Sequence, residues 1–451
     1  MQKITVYEFS DWFAISKRNL LQSHLEQVWE NRFFRMLPST EIKEGDQAFK
    51  KTYQPFLNFD GEKAKCNNYV GFIQNEESCI EIHPKVFKSL PINQENNKLM
   101  IKHLFFWFDY CRKWRLPFSD VNLNQDEQLN LPELIIKLIA NQFYDTITAQ
   151  PLSLYTAVEE SLTIPRGRIN FNRYITGNFS RGQKHILACD HELLLFDNTF
   201  NQAIKYTTRF LKSKAKFSET QRKLGEILFL LDEVSDVYCT SDQLDRVSFN
   251  SFYSDYSIVK DLCKMVLDQQ LYSHEQDEQN HWSLLFPMEY IFEDFIAGFL
   301  EQHFSKEWKI KYQKSEKYLV DEPEKAFRMQ HDIFLEKIGN SDIKIIVDTK
   351  YKLRGDFKDD PKRGVAQSDL YQMTSYAFSR GCSNVLLLYP NEKETLDESD
   401  QFIITSGFDS SQKVKVIAAE IPFWSVNGHN EIPRNLKSKL KTLLREFLDG
   451  K

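Results

Sequence analysis

Apolar and polar positions alternate along this chain in two patterns, one typical of strands and one typical of helices. The proportion of the two patterns changes twice along the chain. Period-two runs bounded by polar turns predict strands, and apolar positions three and four apart predict helices. In the first part, strands are predicted at 4–7, 69–73 and 79–85, and helices at 19–34 and 99–114. In the middle part, helices are predicted at 131–149, 224–231 and 256–271, and the stretch 190–201 leads into another helix that ends at about 213. Polar, acidic stretches at 124–130 and 274–279 are typical of linkers.

From residue 281 onward, strands and helices follow one another in a different order. Helices are predicted at 286–299, 365–380 and 432–448, and strands at 308–312, 333–335, 343–347, 384–390 and 414–421. This order predicts a central mixed sheet flanked by helices. The chain is therefore predicted to be a multidomain α/β protein. Its predicted parts are an α+β region at 1–125, a mostly helical region at 126–280 and an α/β domain at 281–451.

The strongest β-branched run belongs to a predicted hairpin, whose arms are 333–335 and 343–347 and whose turn is 339–341. Side chains two apart on a strand share a face, so Asp348 and Lys350 point the same way. A hairpin of this length can bring Asp332 alongside them. Two carboxylates and an ammonium group suit Mg²⁺-assisted phosphodiester cleavage, in which the metal activates a water and the lysine stabilises charge.

An acidic residue two before a lysine is a weak signal by itself, because the spacing recurs in this chain. Further copies begin at Glu41, Glu307, Asp342 and Asp356, and a solvated strand end explains the spacing in each. Three features favour the copy at Asp348. It follows the β-branched run, it has an acidic residue at hairpin distance upstream, and a helix with polar residues on one face follows. Those polar residues are Gln372 and Tyr376.

Composition restricts the class of protein. The chain has 451 residues, 41% of them hydrophobic, which is enough for two or three domains with real cores. A net charge of −6 provides no global attraction to nucleic acid, so any such contact must be local. The seven cysteines have no zinc or Cys-x-x-Cys spacing, which indicates reduced thiols in a cytoplasmic protein. Neither a signal peptide nor a membrane span is predicted.

Two charged segments leave alternatives open. The window 205–223 is the most basic, and Lys205, Arg209 and Lys212 either contact DNA phosphates or form a solvated helical face. Arg166 and Arg168 flank a glycine, which indicates either a turn that grips an anion or a charged surface turn. The aromatic run at 105–110 favours core packing over a partner-binding face.

Several stretches in the same order resemble the McrC family, the nuclease subunits of McrBC-type restriction systems that depend on 5-methylcytosine. The resemblance covers nearly the whole chain and is carried by Gly71, 80–85, 166–169, Asp197, Asn198, Asn201, 288–295, 348–352 and 369–377. The same resemblance implies a C-terminal nuclease domain of the PD-(D/E)XK superfamily. One departure is His331, which stands where the family usually has proline before the first catalytic Asp.

The resemblance implies roles for individual residues. Asp332 and Asp348 would bind Mg²⁺, with Mn²⁺ able to substitute, and Lys350 would be the catalytic lysine. Glu293 and Glu289 would add acidic groups from the preceding helix, although their spacing alone fits a solvated helix surface. Gln372 and Tyr376 would support the site. Lys352 is a further candidate for contact with DNA.

The family also implies partners. These are a hexameric, McrB-like AAA+ GTPase, whose GTP hydrolysis the N-terminal part of the chain would stimulate, and double-stranded DNA with methylated cytosine. Arg166 and Arg168 are candidate residues for the GTPase interface. No Gly-x-x-x-x-Gly-Lys-Ser/Thr motif occurs, so the chain itself is not expected to bind nucleotide.

Two other functions remain open. A self-sufficient nuclease of the same superfamily, acting in DNA repair, would cleave DNA with Mg²⁺ alone. A non-catalytic adaptor would stimulate an AAA+ motor, and substitutions at Asp348 or Lys350 would leave restriction intact.

Overall fold

The computed structural model describes residues 2–15, 17–36, 55–74, 78–112, 130–269, 282–312, 318–320, 326–328, 332–354, 360–394, 399–407 and 411–448. Most of the predicted linker at 124–130, all of the one at 274–279, and His331 lie outside these residues.

The strands in the described residues occur throughout the chain, including the middle part that was expected to be mostly helical. They are β1 (Gln2–Tyr7), β2 (Phe13–Ala14), β3 (Leu57–Asp60), β4 (Lys63–Cys66), β5 (Tyr69–Gln74), β6 (Ser78–His83), β7 (Leu154–Leu162), β8 (Arg168–Ile169), β9 (Leu187–Leu195), β10 (Trp282–Pro287), β11 (Trp308–Tyr312), β12 (Tyr318–Val320), β13 (Ala326–Arg328), β14 (Ile333–Lys337), β15 (Lys344–Thr349), β16 (Asn384–Pro390), β17 (Asp400–Thr405) and β18 (Lys413–Ile421).

The longer helices lie close to the predicted segments, whereas the short helices α4 and α7 were not predicted. They are α1 (Arg18–Met36), α2 (Gln94–Tyr110), α3 (Leu131–Ala149), α4 (Phe171–Arg173), α5 (Thr199–Lys214), α6 (Ser218–Leu230), α7 (Ser241–Asp245), α8 (Tyr256–Gln269), α9 (Met288–Phe304), α10 (Gln367–Arg380) and α11 (Ile432–Arg445). The segment predicted as a helix at 286–299 is the end of β10 followed by α9, because Pro287 ends the strand and precedes the helix.

The chain divides into two compact units that do not follow the predicted three-part order. Unit 1 contains Met1–Trp29, Ser39–Glu127 and Ser273–Lys451, and unit 2 contains Glu30–Pro38 and Gln128–Tyr272. The first and third predicted parts therefore share one unit, and the middle part accounts for most of the other. A boundary within unit 1 between an N-terminal region and a nuclease domain stays a prediction.

In unit 1, an N-terminal sheet has the strand order β1-β6-β5-β10. β1 runs parallel to β6, while β5 is antiparallel to both β6 and β10. Gly71 in β5 has φ of 136°, and a Cβ there would lie 1.9 Å from the carbonyl oxygen of Leu284. Only glycine permits this approach of β5 to β10. The sheet therefore joins residues from both ends of the chain.

The aromatic run of α2 packs inside unit 1, as predicted. Phe105, Phe106, Trp107 and Phe108 are buried, and α2 contacts α9. The Trp107 ring stacks on Phe423 with 4.0 Å between centroids, and its Nε1 donates to the Phe423 carbonyl oxygen at 2.9 Å.

The second large sheet of unit 1 has the order β11-β14-β15-β16-β18-β17. β15, β16 and β18 are mutually parallel and the other pairs are antiparallel. One face packs against α10 through a core that includes Phe334, Ile346, Met373, Ala377 and Leu387. α9 contacts β15 and α11 contacts β18. The predicted mixed sheet is present, while its assignment to the PD-(D/E)XK fold stays a prediction.

Unit 2 combines helices α3 and α5–α8 with a three-stranded antiparallel sheet, β7-β9-β8. The sequence did not predict this sheet. Asn198 caps α5 by accepting from the backbone N–H groups of Phe200 and Asn201, and Asn201 Nδ2 donates to the Leu152 and Phe196 carbonyls. The two asparagines are buried and therefore fix the start of α5.

Two further expectations concern the cysteines and membrane-spanning helices. All seven cysteines lie in the described part of the chain, where they are buried and form no disulfide. In the described part of the chain, no helix is long and apolar enough to cross a membrane.

Candidate active site

The β14–β15 hairpin places Asp332 beside the end of β15. Ile333 pairs with Val347 across the hairpin, so Asp332 lies opposite the segment that carries Asp348 and Thr349. Thr349 donates to Asp332 Oδ2 twice, from its backbone N–H and from Oγ1, at 2.8 Å each. Both hydrogen bonds reach Oδ2, so they orient the Asp332 carboxylate, and Oδ1 takes no part in them.

Asp348 and Lys350 form an ion pair at the end of β15. Asp348 is 2% exposed, and Lys350 Nζ lies 2.7 Å from its Oδ2. Asp348 Oδ2 is buried, and the Lys350 ammonium is its close partner. The Lys350 backbone N–H donates to the Leu388 carbonyl oxygen at 2.8 Å, which anchors the lysine to β16.

The pKa values of the three groups reflect a buried Asp348 paired with Lys350 and a half-buried Asp332 close to both. Burial raises the pKa of Asp332, against the hydrogen bonds from Thr349 and the charge of Lys350. Burial and then the Asp332 charge raise the pKa of Asp348 to about 7, against the attraction of Lys350. Burial acts against the charged form of Lys350, but Asp348 and Asp332 outweigh it and raise the pKa of Lys350. The site therefore keeps its lysine protonated and holds excess negative charge.

The donor set fits Mg²⁺. Carboxylate oxygens are its preferred protein ligands, and it commonly uses one or two carboxylates together with waters and substrate phosphate. Lys350 Nζ lies 2.7 Å from the buried Asp348 Oδ2, so a cation bound here would share this carboxylate with the ammonium. Over the described ranges, no group of three or more His, Cys, Asp or Glu side chains converges as a complete metal site. A cation here would therefore be bound by two carboxylates, completed by water or substrate.

Glu289 and Glu293 lie in the first two turns of α9, and their role as metal ligands stays a prediction. Glu289 is exposed in the first turn of α9, and its charge acts on Glu8 and Lys85 of the N-terminal sheet region. Glu293 lies one turn later and is half-buried. α9 follows directly from β10, so its first turns lie beside the N-terminal sheet.

Gln372 and Tyr376 lie one turn apart on α10, as the spacing predicted. Gln372 Nε2 donates to Tyr376 Oη at 3.1 Å. Gln372 is exposed, whereas Tyr376 packs partly against the core under α10. Their support of the site stays a prediction.

Asp369 is a charged residue near the site that the sequence analysis did not select. It is buried in the first turn of α10, and its two carboxylate oxygens lie 2.9 and 3.1 Å from Lys352 Nζ. Its charge acts on both Asp348 and Lys350. An acidic residue in a first turn is common because it complements the helix dipole, which is why nothing in the sequence separated it from an ordinary helix start. Lys352, 54% exposed in its side chain, is therefore paired at the edge of the site.

The basic window in unit 2 is only partly available to DNA. Lys205 is buried, its Nζ donates to the Val234 carbonyl oxygen, and it pairs with Asp236 at 3.2 Å. The expectation that Lys205 contacts phosphate is therefore corrected, because a buried ammonium bound within the fold cannot reach DNA. Arg209, half exposed, pairs with the same Asp236 at 2.7 Å, and Lys212 is exposed.

Arg166 and Arg168 are both exposed on a tight turn of unit 2. Gly167 between them has φ of 63°, and a Cβ there would lie 2.5 Å from the Asp190 carbonyl oxygen. Arg168 pairs with Asp190 in the β8–β9 ladder. The glycine thus lets the turn lie against β9 with both arginines directed outward from the turn, and their role at a partner interface stays a prediction.

Comparisons with known proteins identify the family. Residues 64–390 match the family model described as McrBC 5-methylcytosine restriction system component. A chain from the refined half-complex of the tetradecameric assembly of Thermococcus gammatolerans McrB AAA+ hexamers with bound McrC is 17% identical. That match covers 98% of this chain and 100% of the other, with a TM-score of 0.65.

A chain of the Thermococcus gammatolerans McrBC complex, solved by cryo-EM, is 21% identical, covers 67% of this chain and 88% of its own, and has a TM-score of 0.47. No curated protein matches. The first of the two structural likenesses shows a shared fold, and the family match covers more than half of the 451 residues. The chain therefore belongs to the McrBC 5-methylcytosine restriction system component family.

Proposed function

We propose that this chain is a Mg²⁺-dependent DNA endonuclease subunit of a modification-dependent restriction complex. The observation that carries the proposal is the convergence of Asp332, Asp348 and Lys350 at the end of the β14–β15 hairpin, with Lys350 Nζ 2.7 Å from Asp348 Oδ2. A buried carboxylate, a half-buried carboxylate and one ammonium at the end of a central strand suit phosphodiester hydrolysis and have no role that packing requires. Membership of a restriction-system family agrees with this chemistry.

In this proposal, Asp332 and Asp348 would hold the cation. Bound Mg²⁺ would lower the pKa of an attacking water and offset the charge of the phosphate. Thr349 orients Asp332 through its two hydrogen bonds, so that one carboxylate is positioned before any ligand arrives. Lys350, kept protonated by its neighbours, would donate from Nζ to an anionic phosphate oxygen as charge develops in the transition state.

We propose Lys352 as a contact to the DNA backbone beside this site. Its side chain is about half exposed, and its partner Asp369 lies close enough to act on Asp348 and Lys350. A phosphate that reaches the site could take over the Lys352 ammonium from Asp369. Lys212 remains a candidate DNA contact in unit 2, since its side chain is exposed.

We further propose that the chain works with a hexameric AAA+ GTPase on double-stranded DNA with methylated cytosine, and stimulates GTP hydrolysis. The similar chain from Thermococcus gammatolerans belongs to an assembly of McrB AAA+ hexamers with bound McrC. The present chain has no phosphate-binding Gly-x-x-x-x-Gly-Lys-Ser/Thr motif, so nucleotide binding is assigned to the partner.

The test uses the full-length chain with the AAA+ subunit of its own system, a methylated plasmid, GTP and Mg²⁺. K350M should lower the cleavage rate by at least about 100-fold, as expected for loss of one preorganised charge donor. Stimulation of GTP hydrolysis should remain. K344M is the matched control, because Lys344 lies on the same strand in a second copy of the acidic-x-Lys spacing.

Two results would contradict the proposal in different ways. Cleavage by K350M at the K344M rate would favour a non-catalytic adaptor. Efficient cleavage by the unmodified chain with Mg²⁺ and no AAA+ subunit would instead favour a self-sufficient nuclease.

A further inference from the structure

Glu8 is a buried carboxyl group at the end of β1 that the proposed chemistry does not use. Its side chain is 0% exposed. Oε1 accepts hydrogen bonds from the Lys85 backbone N–H at 2.8 Å and from the Tyr351 hydroxyl at 2.6 Å, whereas Oε2 is buried with no donor among the described residues. Burial raises the pKa of Glu8 to about 7, against the attraction of Lys85. An apolar side chain would avoid this unfavourable burial, so the carboxyl group contributes something other than packing.

Lys85 contacts Tyr351 as well, through its carbonyl oxygen and its ring face. Its Nζ donates to the Tyr351 carbonyl oxygen at 2.7 Å and lies 4.2 Å from the centroid of the Tyr351 ring. Tyr351 is 3% exposed, and its ring also neighbours Phe292 at 5.9 Å between centroids. The hydroxyl, the ring face and the carbonyl oxygen of Tyr351 are therefore each contacted by Glu8 or Lys85.

The backbone next to Glu8 is also constrained. Phe9 has φ of 55°, a conformation that residues other than glycine rarely adopt, and its N–H donates to the Cys66 carbonyl oxygen at 3.1 Å. The chain thus turns sharply immediately after Glu8, which leaves the carboxyl group little freedom to move away from Tyr351.

Tyr351 lies between the two lysines of the candidate active site. The Lys352 N–H donates to the Lys350 carbonyl oxygen at 2.7 Å, which closes a three-residue turn centred on Tyr351. Lys350 on one side pairs with Asp348, and Lys352 on the other pairs with Asp369. A shift of Tyr351 would therefore move both ammonium groups relative to the carboxylates.

We propose that Glu8 and Lys85 are positioning residues for the candidate nuclease site, acting through Tyr351 to place Lys350 against the scissile phosphate. The inference rests on the proposed function and extends it, because it assigns part of the geometry of the site to the N-terminal sheet. Glu8 lies 343 positions from Tyr351 along the chain, so this contact couples the two ends of unit 1.

The test compares K85M, K85R and K88M in the full-length chain with its AAA+ partner. K88M is the matched control, since Lys88 is an exposed lysine three residues away. K85M should lower the single-turnover cleavage rate at saturating DNA by about 10- to 100-fold, the usual effect of removing a residue that orients a site group. K85R keeps the charge and should restore at least part of that rate. The Mg²⁺ affinity, measured by calorimetry without DNA, should stay within about twofold, since Asp332 and Asp348 are untouched.

Y351F and E8L test whether Glu8 acts through the tyrosine. Each should slow cleavage, and the double variant should be no slower than the slower single variant, because both remove the same hydrogen bond. The positioning role would be overturned if the effects of Y351F and E8L multiplied in the double variant. It would also be overturned if K85M cleaved at the rate of K88M while the unmodified chain cleaves. An unmodified chain that neither binds Mg²⁺ nor cleaves would instead refute the proposed function itself.

Discussion

Asp348→Asn should stabilise the metal-free protein while abolishing the proposed cleavage. Asp348 is 2% exposed, and burial together with the Asp332 charge raises the pKa of Asp348 from the ordinary 3.8 to about 7. By the linkage between proton binding and stability, that difference corresponds to about 4 kcal/mol of folding free energy lost at pH 8, where the folded protein must hold the carboxylate ionised. Asparagine has nearly the same shape and carries no charge.

The raised pKa of Asp348 already includes the attraction of Lys350, so the loss of this counterion adds no separate cost. Lys350 Nζ keeps the attraction of Asp332 and Asp369, and its side chain is 17% exposed. We therefore expect D348N to be more stable than the wild type by about 4 kcal/mol at pH 8. For a unit of this size, that corresponds to an increase in Tm of about 8 °C.

The effect of D348N should depend on pH in a defined direction. Because the folded pKa of Asp348 lies above its unfolded value, the wild type loses stability as the pH rises from about 4 to about 7. The Tm difference between D348N and the wild type should therefore be near zero at pH 4, increase up to pH 7 and stay constant above it. D342N is the matched control, since Asp342 is exposed on the turn of the same hairpin.

The assay is thermal unfolding of the full-length chain without divalent cations, repeated with Mg²⁺. At 100 times its Kd, Mg²⁺ should stabilise the wild type by about 2.7 kcal/mol and thereby raise its Tm. The Tm of D348N should not change. A lower Tm for D348N at pH 8, or a Tm difference that does not change with pH, would refute the reasoning that a buried and a half-buried carboxylate compete for one ammonium.

Two other substitutions test separate parts of the structure. D369N removes a negative charge that raises the pKa of Asp348, so the acid limb of the pH–rate profile should move to lower pH. The cleavage rate should also fall by about 10-fold, because Lys352 loses its partner. An acid limb that does not move would contradict the effect of the Asp369 charge on Asp348. K205M should lower the stability of unit 2 by about 2 kcal/mol, seen as a decrease in Tm of about 6 °C, because Lys205 donates to a buried backbone carbonyl oxygen. K212M, an exposed lysine on the same helix, should shift the Tm by less than about 1 °C, and equal effects of the two variants would contradict the buried role of Lys205.

Local sequence patterns predicted the hairpin because its signals are themselves local. The β-branched residues of β15 at 345–347 are buried, and the turn residues lie between the two arms, so the register that places Asp332 near Thr349 needs no distant information. The aromatic face of α2 was equally clear, since such bulk must be buried somewhere.

Features that depend on distant contacts were not predicted. Lys205 appeared solvated in a basic window, because Asp236 and the Val234 carbonyl that bind it lie about 30 residues later. The strands β7 and β9 alternate between half-buried and exposed residues without a strong apolar run, so the middle part seemed helical. Glu8 gave no signal, and Lys85 appeared only within the stretch 80–85 that carries the family resemblance, since Tyr351 reaches both residues only in the folded chain.

The N-terminal sheet and the candidate nuclease site are connected by three independent contacts within unit 1. β10 completes the N-terminal sheet and continues directly into α9, which contacts β15, the strand that carries Asp348. Trp107 of α2 stacks on Phe423, just after β18. Glu8 binds Tyr351 at the end of the β15 segment. A chain cut at residue 281 would leave β10 without β5, its antiparallel partner, and Tyr351 without Glu8. We therefore expect whatever binds the N-terminal sheet to act on the hairpin that carries Asp332, Asp348 and Lys350, because the two share a core and a buried hydrogen bond.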